Sequence, residues 1–215
     1  VGLDGKIGFG SNITLDFTFN PDFGQVEAMI QIQQSSPHYF QRADAGYLSV
    51  DSSATSLSGH GGHIEIGKGA GKFIGSTGFT WLSPGLELND LGYLRNTDNL
   101  KQRANIQYRQ TKPAGPFRSF SFSLSDYLLW NYNYDYMHGS VEFNAGATLR
   151  NMVNGHIVLI RADNAWETRL LRGGPKIMGD KYWYFHYHLF TDSRKPFNFS
   201  FGHYKLILLT RLLKM

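Results

Sequence analysis

Apolar and polar residues alternate with a period of two along most of this chain, as in β-strands that have one apolar face. The clearest example is residues 12–20, whose apolar positions are Ile13, Leu15, Phe17 and Phe19. A second alternating stretch, residues 3–9, lies just before it. The dipeptide Gly10-Ser11 between the two stretches is a turn signal. These residues therefore predict a β-hairpin.

The same alternation recurs further along the chain. It is found in residues 103–109, 119–125, 141–150, 182–189 and 197–202. In all, the pattern predicts about eleven strands, separated by Gly, Asn, Asp and Pro turn signals. No segment has a persuasive helical period. The sequence therefore predicts an all-β fold with an antiparallel arrangement of strands.

Two of the predicted strands are rich in aromatic residues. Residues 182–189 place Trp183, Phe185 and Tyr187 on one face, and residues 128–136 are expected to do the same with Trp130 and three tyrosines. Strands of about nine to eleven residues can cross a bilayer when tilted, and Tyr and Trp are enriched at headgroup depth. The pattern favours a transmembrane β-barrel over its alternative, a soluble glycan-binding β-sandwich module with an aromatic core.

Composition agrees with a large apolar surface. Charged residues make up 18% of the chain, against ~25% in ordinary soluble domains, whereas aromatic residues reach 15% and glycine occurs 24 times. The net charge of +4 is not concentrated in a basic block, so no nucleic-acid partner is expected. The chain has no cysteine, which excludes disulfides, thiolate metal sites and cysteine nucleophiles.

Catalytic and metal-binding signals are weak. His63 and Glu65 share a strand face and could supply two metal ligands, but a metal site needs at least a third. His186 and His188 have a similar spacing and fit a wet cavity equally well. Glu65, Glu87 and Asp90 are the carboxylates that a carbohydrate-active enzyme would use, yet no catalytic motif accompanies them. We therefore predict no enzyme activity, no metal and no cofactor.

Charged or polar residues in irregular segments are the better candidates for binding. These segments break the alternation around a Pro-Gly or Gly-Gly-Pro turn, or between two aromatic strands. The candidate binding residues within them or beside them are Asn89, Asp90, Arg95, Arg169, Arg172, Asp192 and Arg194.

Several segments together resemble a family of bacterial outer-membrane β-barrel proteins of unknown function, whose members usually carry a family-9-like carbohydrate-binding module ahead of the barrel. The segments that carry this resemblance are residues 20–28, 39–42, 55–59, 83–92, 115–118, 168–175 and 191–196. The resemblance implies a location in the bacterial outer membrane. It also implies contact with membrane lipid, and it makes other envelope proteins or glycans the candidate partners. It implies no catalytic residues.

The chain departs from that family in its extent. Family members have a long acidic and aromatic stretch and more strands after the segment that matches residues 20–28. Here Ala28 is followed directly by Met29. We therefore expect one β-barrel domain over residues 1–215, incomplete as a barrel, with a discontinuity between residues 28 and 29. The expected role is transport, or a platform for an envelope complex.

Overall fold

The computed structural model describes residues 2–25, 42–48, 56–86, 96–171 and 173–209. These residues contain twelve β-strands. The strands are β1 (Leu3–Phe9), β2 (Ile13–Gln25), β3 (Ser56–Lys68), β4 (Phe73–Leu82), β5 (Asn99–Gln110), β6 (Phe117–Trp130), β7 (Tyr136–Leu149), β8 (Asn154–Ala162), β9 (Trp166–Glu167), β10 (Ile177–Met178), β11 (Lys181–Phe190) and β12 (Ser200–Leu209).

Ten of these strands form one antiparallel sheet in the order β1-β2-β3-β4-β5-β6-β7-β8-β11-β12. Strands β9 and β10 pair separately as a two-stranded sheet within the connection between β8 and β11. The all-β, antiparallel prediction is confirmed. Within the described residues the large sheet is open, because β1 and β12 form its two edges. No helix among these residues is long and apolar enough to span a membrane.

The hairpin predicted near residues 3–20 is confirmed. Strands β1 and β2 pair from Leu3 opposite Phe19 to Phe9 opposite Ile13. The turn between them begins at Gly10, whose φ of 68° lies in the left-handed region that glycine adopts without a steric penalty.

The alternation gives the sheet two chemically different faces. We call the polar face the one that carries Lys6, Asp16, Glu65 and Arg103, which follow one another along the cross-strand register with Gly78 before Arg103. The opposite, apolar face carries most of the exposed large hydrophobic residues. These include Ile7, Ile13, Ile64, Ile66, Phe79, Ile106, Phe122, Leu124, Val141, Phe143, Ile157, Trp183, Phe185 and Leu189.

Buried apolar residues are scarce in the described part of the chain and do not lie between two layers. They are Ala45, Leu86 and Ala162, which come from two strand connections and the last position of β8. Neither face of the large sheet is covered by a second large sheet within the described residues. The best-buried part of the molecule therefore lies at one end of the sheet.

The two ends of the sheet differ in their connections. At the short-turn end, strands are joined by residues 10–12, 69–72, 111–116, 150–153 and 191–199. At the other end, which we call the long-loop end, the described strands are separated by residues 26–55, 83–98, 131–135 and 163–180, and three of these separations are longer than any at the short-turn end. Long connections in compact domains are commonly functional, so the long-loop end is the natural place to look for a site.

The predicted aromatic strand over residues 128–136 is wrong. Strand β6 ends at Trp130 and β7 begins at Tyr136, so the stretch is the junction of two strands. The Asn131 side chain accepts hydrogen bonds from the backbone N–H groups of Asn133 and Asp135, and Tyr134 has a left-handed φ of 60°. This local turn overrides the alternation that suggested a strand.

Two smaller expectations also need correction. Phe197 and Phe199 precede β12 and lie in the connection 191–199, and Arg150 lies in the turn after β7 instead of in the strand. The expected discontinuity between residues 28 and 29 lies outside the described residues.

Candidate functional site

The structure describes three of the seven predicted binding residues and places them at opposite ends of the sheet. Arg169 lies at the long-loop end, in the connection 163–180, whereas Asp192 and Arg194 lie in the connection 191–199 at the short-turn end. Strand β11 separates the two positions, and its ten residues span roughly 30 Å. Asn89, Asp90, Arg95 and Arg172 lie outside the described residues.

Asp192 and Arg194 form a local ion pair. The Arg194 Nε and Nη2 atoms donate to the two Asp192 carboxylate oxygens, each at 2.8 Å. The side-chain and backbone hydrogen bonds from Arg194 lower the pKa of Asp192 to about 2. The Arg194 side chain remains 69% exposed, so this pair organises its own turn and contacts little else.

Arg169 connects two distant loops. Its Nη2 donates to the Thr97 carbonyl oxygen at 2.7 Å, and its Nη1 donates to the Asn96 side-chain oxygen. Burial lowers the pKa of Arg169, and the negative charges of Asp98 and Glu167 act in the opposite direction. Thr97 itself is completely buried. Arg169 thus ties the connection 163–180 to the connection 83–98.

Asp98 is the acceptor at the centre of this region. Its carboxylate accepts from the Tyr47 hydroxyl and, at 3.0 Å, from the backbone N–H of Tyr132. The pKa of Tyr47 is raised by burial and then by Asp98, and burial followed by the charge of Asp98 raises the pKa of Tyr132 to about 12. Both phenols therefore stay neutral well above physiological pH.

A second set of bonds joins the β6–β7 turn to the connection 163–180. Asn131 is 1% exposed, and its Nδ2 donates to Asp135 Oδ2 at 2.9 Å. Lys176 Nζ donates to Asp135 Oδ1 at 2.5 Å and lies 4.8 Å from the centre of the Trp166 ring. Burial by itself would raise the pKa of Asp135, but the hydrogen bonds from Lys176 and Asn131 outweigh it, and the pKa is lowered.

The segment 42–48 completes the arrangement. Asp44 Oδ2 accepts from the backbone N–H of Lys176 at 2.8 Å, and Arg42 Nη1 lies 3.7 Å from Asp44 Oδ1. The Arg42 side chain is only 3% exposed. Together these side chains form what we call the loop cluster: Asp44, Tyr47, Asp98, Asn131, Asp135, Arg169 and Lys176.

The carboxylates of the loop cluster all have hydrogen-bond partners. They accept from Tyr47, Lys176, Asn131 and backbone N–H groups, so none is positioned as a free base beside a nucleophile. Among the described residues, no group of three or more His, Asp or Glu side chains is arranged to hold a metal ion. The chemistry that this arrangement supports is the rigid joining of four loops.

The histidines considered as metal ligands have other partners. His63 Nδ1 lies 2.8 Å from Thr80 Oγ1, and its Nε2 lies 3.6 Å from Glu65 Oε2. His186 and His188 lie beside His156 on the polar face, at ring-centre distances of 5.0 and 5.9 Å from it, with their rings tilted or edge-on to it. These contacts fit the alternative of a wet, polar surface.

A second candidate region is a depression on the polar face. It has a volume of about 550 Å³ and is lined by strands β3 to β7. Arg103 lies over the Tyr127 ring at 4.7 Å, and Glu142 accepts from Asn144 Nδ2 at 2.6 Å. Glu65 contributes a further carboxylate to the lining. The depression offers both charge signs to a polar solute.

One comparison with known proteins identifies a family. Residues 27–208 match the family described as "Domain of unknown function (DUF5916)". The chain belongs to the DUF5916 family. No curated protein and no solved structure gives a significant match. Membership of DUF5916 carries no function with it, and the outer-membrane location and the associated carbohydrate-binding module stay predictions.

The sequence missed most of the DUF5916 loop cluster. Six of its members were not among the predicted binding residues: Asp44, Tyr47, Asp98, Asn131, Asp135 and Lys176. Their partners lie far apart in the chain, with 132 positions between Asp44 and Lys176. The one local signal was Asn131, because Asn side chains in turns often accept hydrogen bonds from the backbone N–H groups of residues that follow them.

Proposed function

We propose that this DUF5916 chain forms the wall of a bacterial outer-membrane β-barrel, with a role in transport or as a platform for an envelope complex. The observation that carries the proposal is the contrast between the two faces of one ten-stranded sheet. Large apolar side chains are exposed on one face, and charged side chains follow the register on the other.

An exposed apolar face of this extent needs a partner. Soluble monomers rarely expose contiguous apolar patches larger than a few hundred Å². The β-sandwich alternative would cover the face with a second sheet, but the described residues supply only the two-stranded sheet of β9 and β10. Lipid covers such a face without any further protein, which supports the membrane proposal.

Strand lengths support the same proposal. Apart from β1, the strands of the ten-stranded sheet have between 9 and 14 residues each. A tilted strand needs about 9 to 11 residues to cross a bilayer. Outer-membrane barrels also have short turns at one end and longer loops at the other, as this sheet has. Closure into a barrel requires that the edges β1 and β12 be paired, either with each other or with further strands.

The apolar face carries a few charges. Arg161 is next to the end of β8, pairs with Asp163 at 3.2 Å and lies 5.8 Å from the Trp183 ring centre, an arrangement typical of the membrane interface. Asp126 and Lys205 lie further from the strand ends, and nothing in the described part of the chain explains these two.

On the barrel proposal the polar face lines the lumen. Lys6 and Asp16 pair across strands at 3.0 Å, and the depression around Arg103, Glu65 and Glu142 is large enough for a small polar solute. The loop cluster would then brace the loops at one mouth of the barrel. A braced mouth suits either controlled entry of a solute or contact with another envelope protein.

Cell fractionation tests the location directly. The chain, expressed in a Gram-negative host, is expected in the outer-membrane fraction, to require detergent for extraction, and to show heat-modifiable mobility in gels. A chain that is fully soluble and monomeric without detergent would contradict the proposal.

A pair of neighbouring substitutions tests the facing of the strands. Leu15 lies on the apolar face, opposite Ile7 and Ile66, and Asp16 lies on the polar face. Leu15→Arg is expected to block membrane assembly, because a cation facing lipid near the midplane costs about 2–4 kcal/mol. Asp16→Asn is the matched control and should assemble normally. Equal tolerance of the two variants would reject this assignment of faces.

A further inference from the structure

The apolar face contains a groove near the short-turn end. It has a volume of about 500 Å³, within the range of about 300–1,000 Å³ that ligand sites occupy. Its floor consists of the small residues Ala145, Ala147 and Gly155, on the adjacent strands β7 and β8. A Cβ atom at position 155 would lie 2.7 Å from Leu189 Cδ2, so the glycine allows the wall of the groove to approach its floor.

Aromatic side chains form both walls of this groove. On β6, Phe120 and Phe122 are 5.6 Å apart between ring centres, and Phe117 lies 5.4 Å from Phe120. On β11, Phe185 and Tyr187 are 5.8 Å apart. The groove is therefore a channel of small residues between two ridges of rings, a shape that suits a narrow, flexible, apolar chain.

Two arginines are chain neighbours of Phe117, which lines the groove, and of its partner in β7. Phe117 pairs with Leu149, and a bulge between Phe117 and Ser119 makes Arg118 the extra residue of β6. Arg150 follows Leu149, and its backbone N–H donates to the Pro116 carbonyl at 3.0 Å. Both side chains are exposed, and neither forms an ion pair with another residue in the described part of the chain. Arg118 Nη1 donates to the weak acceptor Met152 Sδ at 3.1 Å, which leaves the other N–H groups of this guanidinium for an anion.

The surroundings of the groove are cationic as well. The five connections at the short-turn end contain the cations Lys72, Lys112, Arg150, Arg194 and Lys195. Their one carboxylate is Asp192, which Arg194 already pairs. No carboxylate in the short-turn connections therefore competes for Arg118 and Arg150, and an anionic group placed there would meet two guanidinium groups whose charge no carboxylate neutralises.

We propose that the groove binds one anionic phospholipid. Its acyl chain lies over Ala145, Ala147 and Gly155, and its phosphate contacts Arg118 and Arg150. Guanidinium groups bind phosphate oxygens in a bidentate manner, which gives the headgroup a fixed place. This proposal rests on the membrane placement proposed above and adds the identity of a specific lipid ligand.

Native mass spectrometry of the detergent-solubilised full chain tests the proposal. The protein is incubated with equal amounts of phosphatidylglycerol, which is anionic, and phosphatidylcholine, which has no net charge, and the mass of retained lipid is read. The wild type is expected to retain one phosphatidylglycerol in preference. Arg118→Gln and Arg150→Gln should each lower that preference about fivefold, the usual effect of one cation near an anionic headgroup.

Groove-filling variants test the acyl-chain half of the site. Ala147→Leu, or Ala145→Leu should the first variant fold poorly, is expected to reduce retention of both lipids. Ala104→Leu is the matched control, because Ala104 lies on the same face in β5, outside the groove. Lys72→Gln is the control for charge, since Lys72 lies in the turn between β3 and β4.

The outcomes separate the two proposals. A chain that shows heat-modifiable mobility in detergent but no preference for phosphatidylglycerol would overturn the lipid site and leave the membrane placement intact. Loss of preference in Lys72→Gln equal to that in Arg118→Gln would also overturn it, since the effect would then come from diffuse surface charge. A chain that needs no detergent would overturn the membrane placement itself.

Discussion

Two loops of this molecule have the same kind of sequence but opposite structural roles. The connections 163–180 and 191–199 each carry at least one arginine, at least one acidic residue and a proline. In the first, Arg169 reaches Asn96 and Thr97, more than seventy positions away. In the second, Arg194 bonds to Asp192, two positions away. Charge pattern alone does not distinguish a loop that joins other loops from one that only shapes itself.

The same contrast holds between the two ends of the sheet. At the long-loop end, polar side chains are buried and pair with partners on other loops. At the short-turn end, the charges are exposed, mostly cationic and largely free. The long-loop end is therefore held rigid by side-chain hydrogen bonds, whereas the short-turn end exposes cationic side chains to its surroundings. Matched substitutions at the two ends should therefore differ in their effect on stability.

The largest difference in stability is expected between substitutions of two asparagines that accept backbone hydrogen bonds in similar turns at opposite ends of the sheet. Asn131 accepts from the Asn133 N–H at 3.0 Å and from the Asp135 N–H at 2.8 Å, and Asn151 accepts from the Val153 N–H at 3.2 Å. Asn131 is buried and Asn151 is exposed. Asn131→Ala leaves two part-buried N–H groups without acceptors, so we expect a loss of about 3 kcal/mol in the free energy of unfolding.

Asn151→Ala is the matched control, and its effect should stay within about 0.5 kcal/mol because water replaces the lost acceptor. Denaturant unfolding in detergent micelles, followed through the folded band in gels, measures both values. Similar losses in the two variants would mean that the long-loop end is no more tightly built than the short-turn end.

The next difference concerns two tyrosines beside the same aspartate. The Tyr47 hydroxyl donates to Asp98, whereas the buried Tyr132 hydroxyl has no hydrogen-bond partner. Tyr47→Phe is expected to cost about 1.5–3 kcal/mol, the usual contribution of a hydrogen bond to a charged group. Tyr132→Phe should be neutral or stabilising, since it removes a polar atom that is buried without a partner. A larger loss in Tyr132→Phe would contradict this account of the loop cluster.

The sequence predicted the sheet well because strands are encoded locally. Period-two alternation placed β1, β2 and β11 and assigned their faces, since each side chain's face follows from its position in the strand. It failed at residues 128–136 because Asn131, Asn133 and Asp135 alternate with aromatic residues although residues 131–135 form a turn. Alternation does not record the hydrogen bonds that a side chain accepts from nearby backbone N–H groups.

The loop cluster was beyond the reach of this pattern for a different reason. Of the three predicted binding residues that the structure describes, Arg169 alone belongs to it. The bonds of Tyr47 to Asp98 and of Lys176 to Asp135 join positions that only the folded sheet brings together. A single sequence shows that an aspartate and a lysine are present, but the order of the strands in the sheet determines whether the two side chains come into contact.

The smallest expected effect is on acid stability, and it tests the two loops against each other. The pKa values of Asp135 and Asp192 are both lowered in the folded protein. A lowered pKa gives stability that is complete above the ordinary carboxyl value of about 4 and is lost as the pH falls through the folded-state pKa. For Asp135, the partner Lys176 lies 41 positions away and is lost on unfolding. We therefore expect acidification below pH ~4 to weaken the fold by at most about 1.4 kcal/mol per pH unit for this one proton.

For Asp192 the partner is two positions away, so much of the pairing persists in the unfolded chain and the pKa differs little between the two states. Unfolding free energies measured between pH 7 and pH 3 should therefore lose part of their pH dependence in Asp135→Asn and keep it in Asp192→Asn. The opposite result would mean that the connection 191–199 is coupled to the rest of the fold. The exposed ion pair would then have a structural role beyond its own turn.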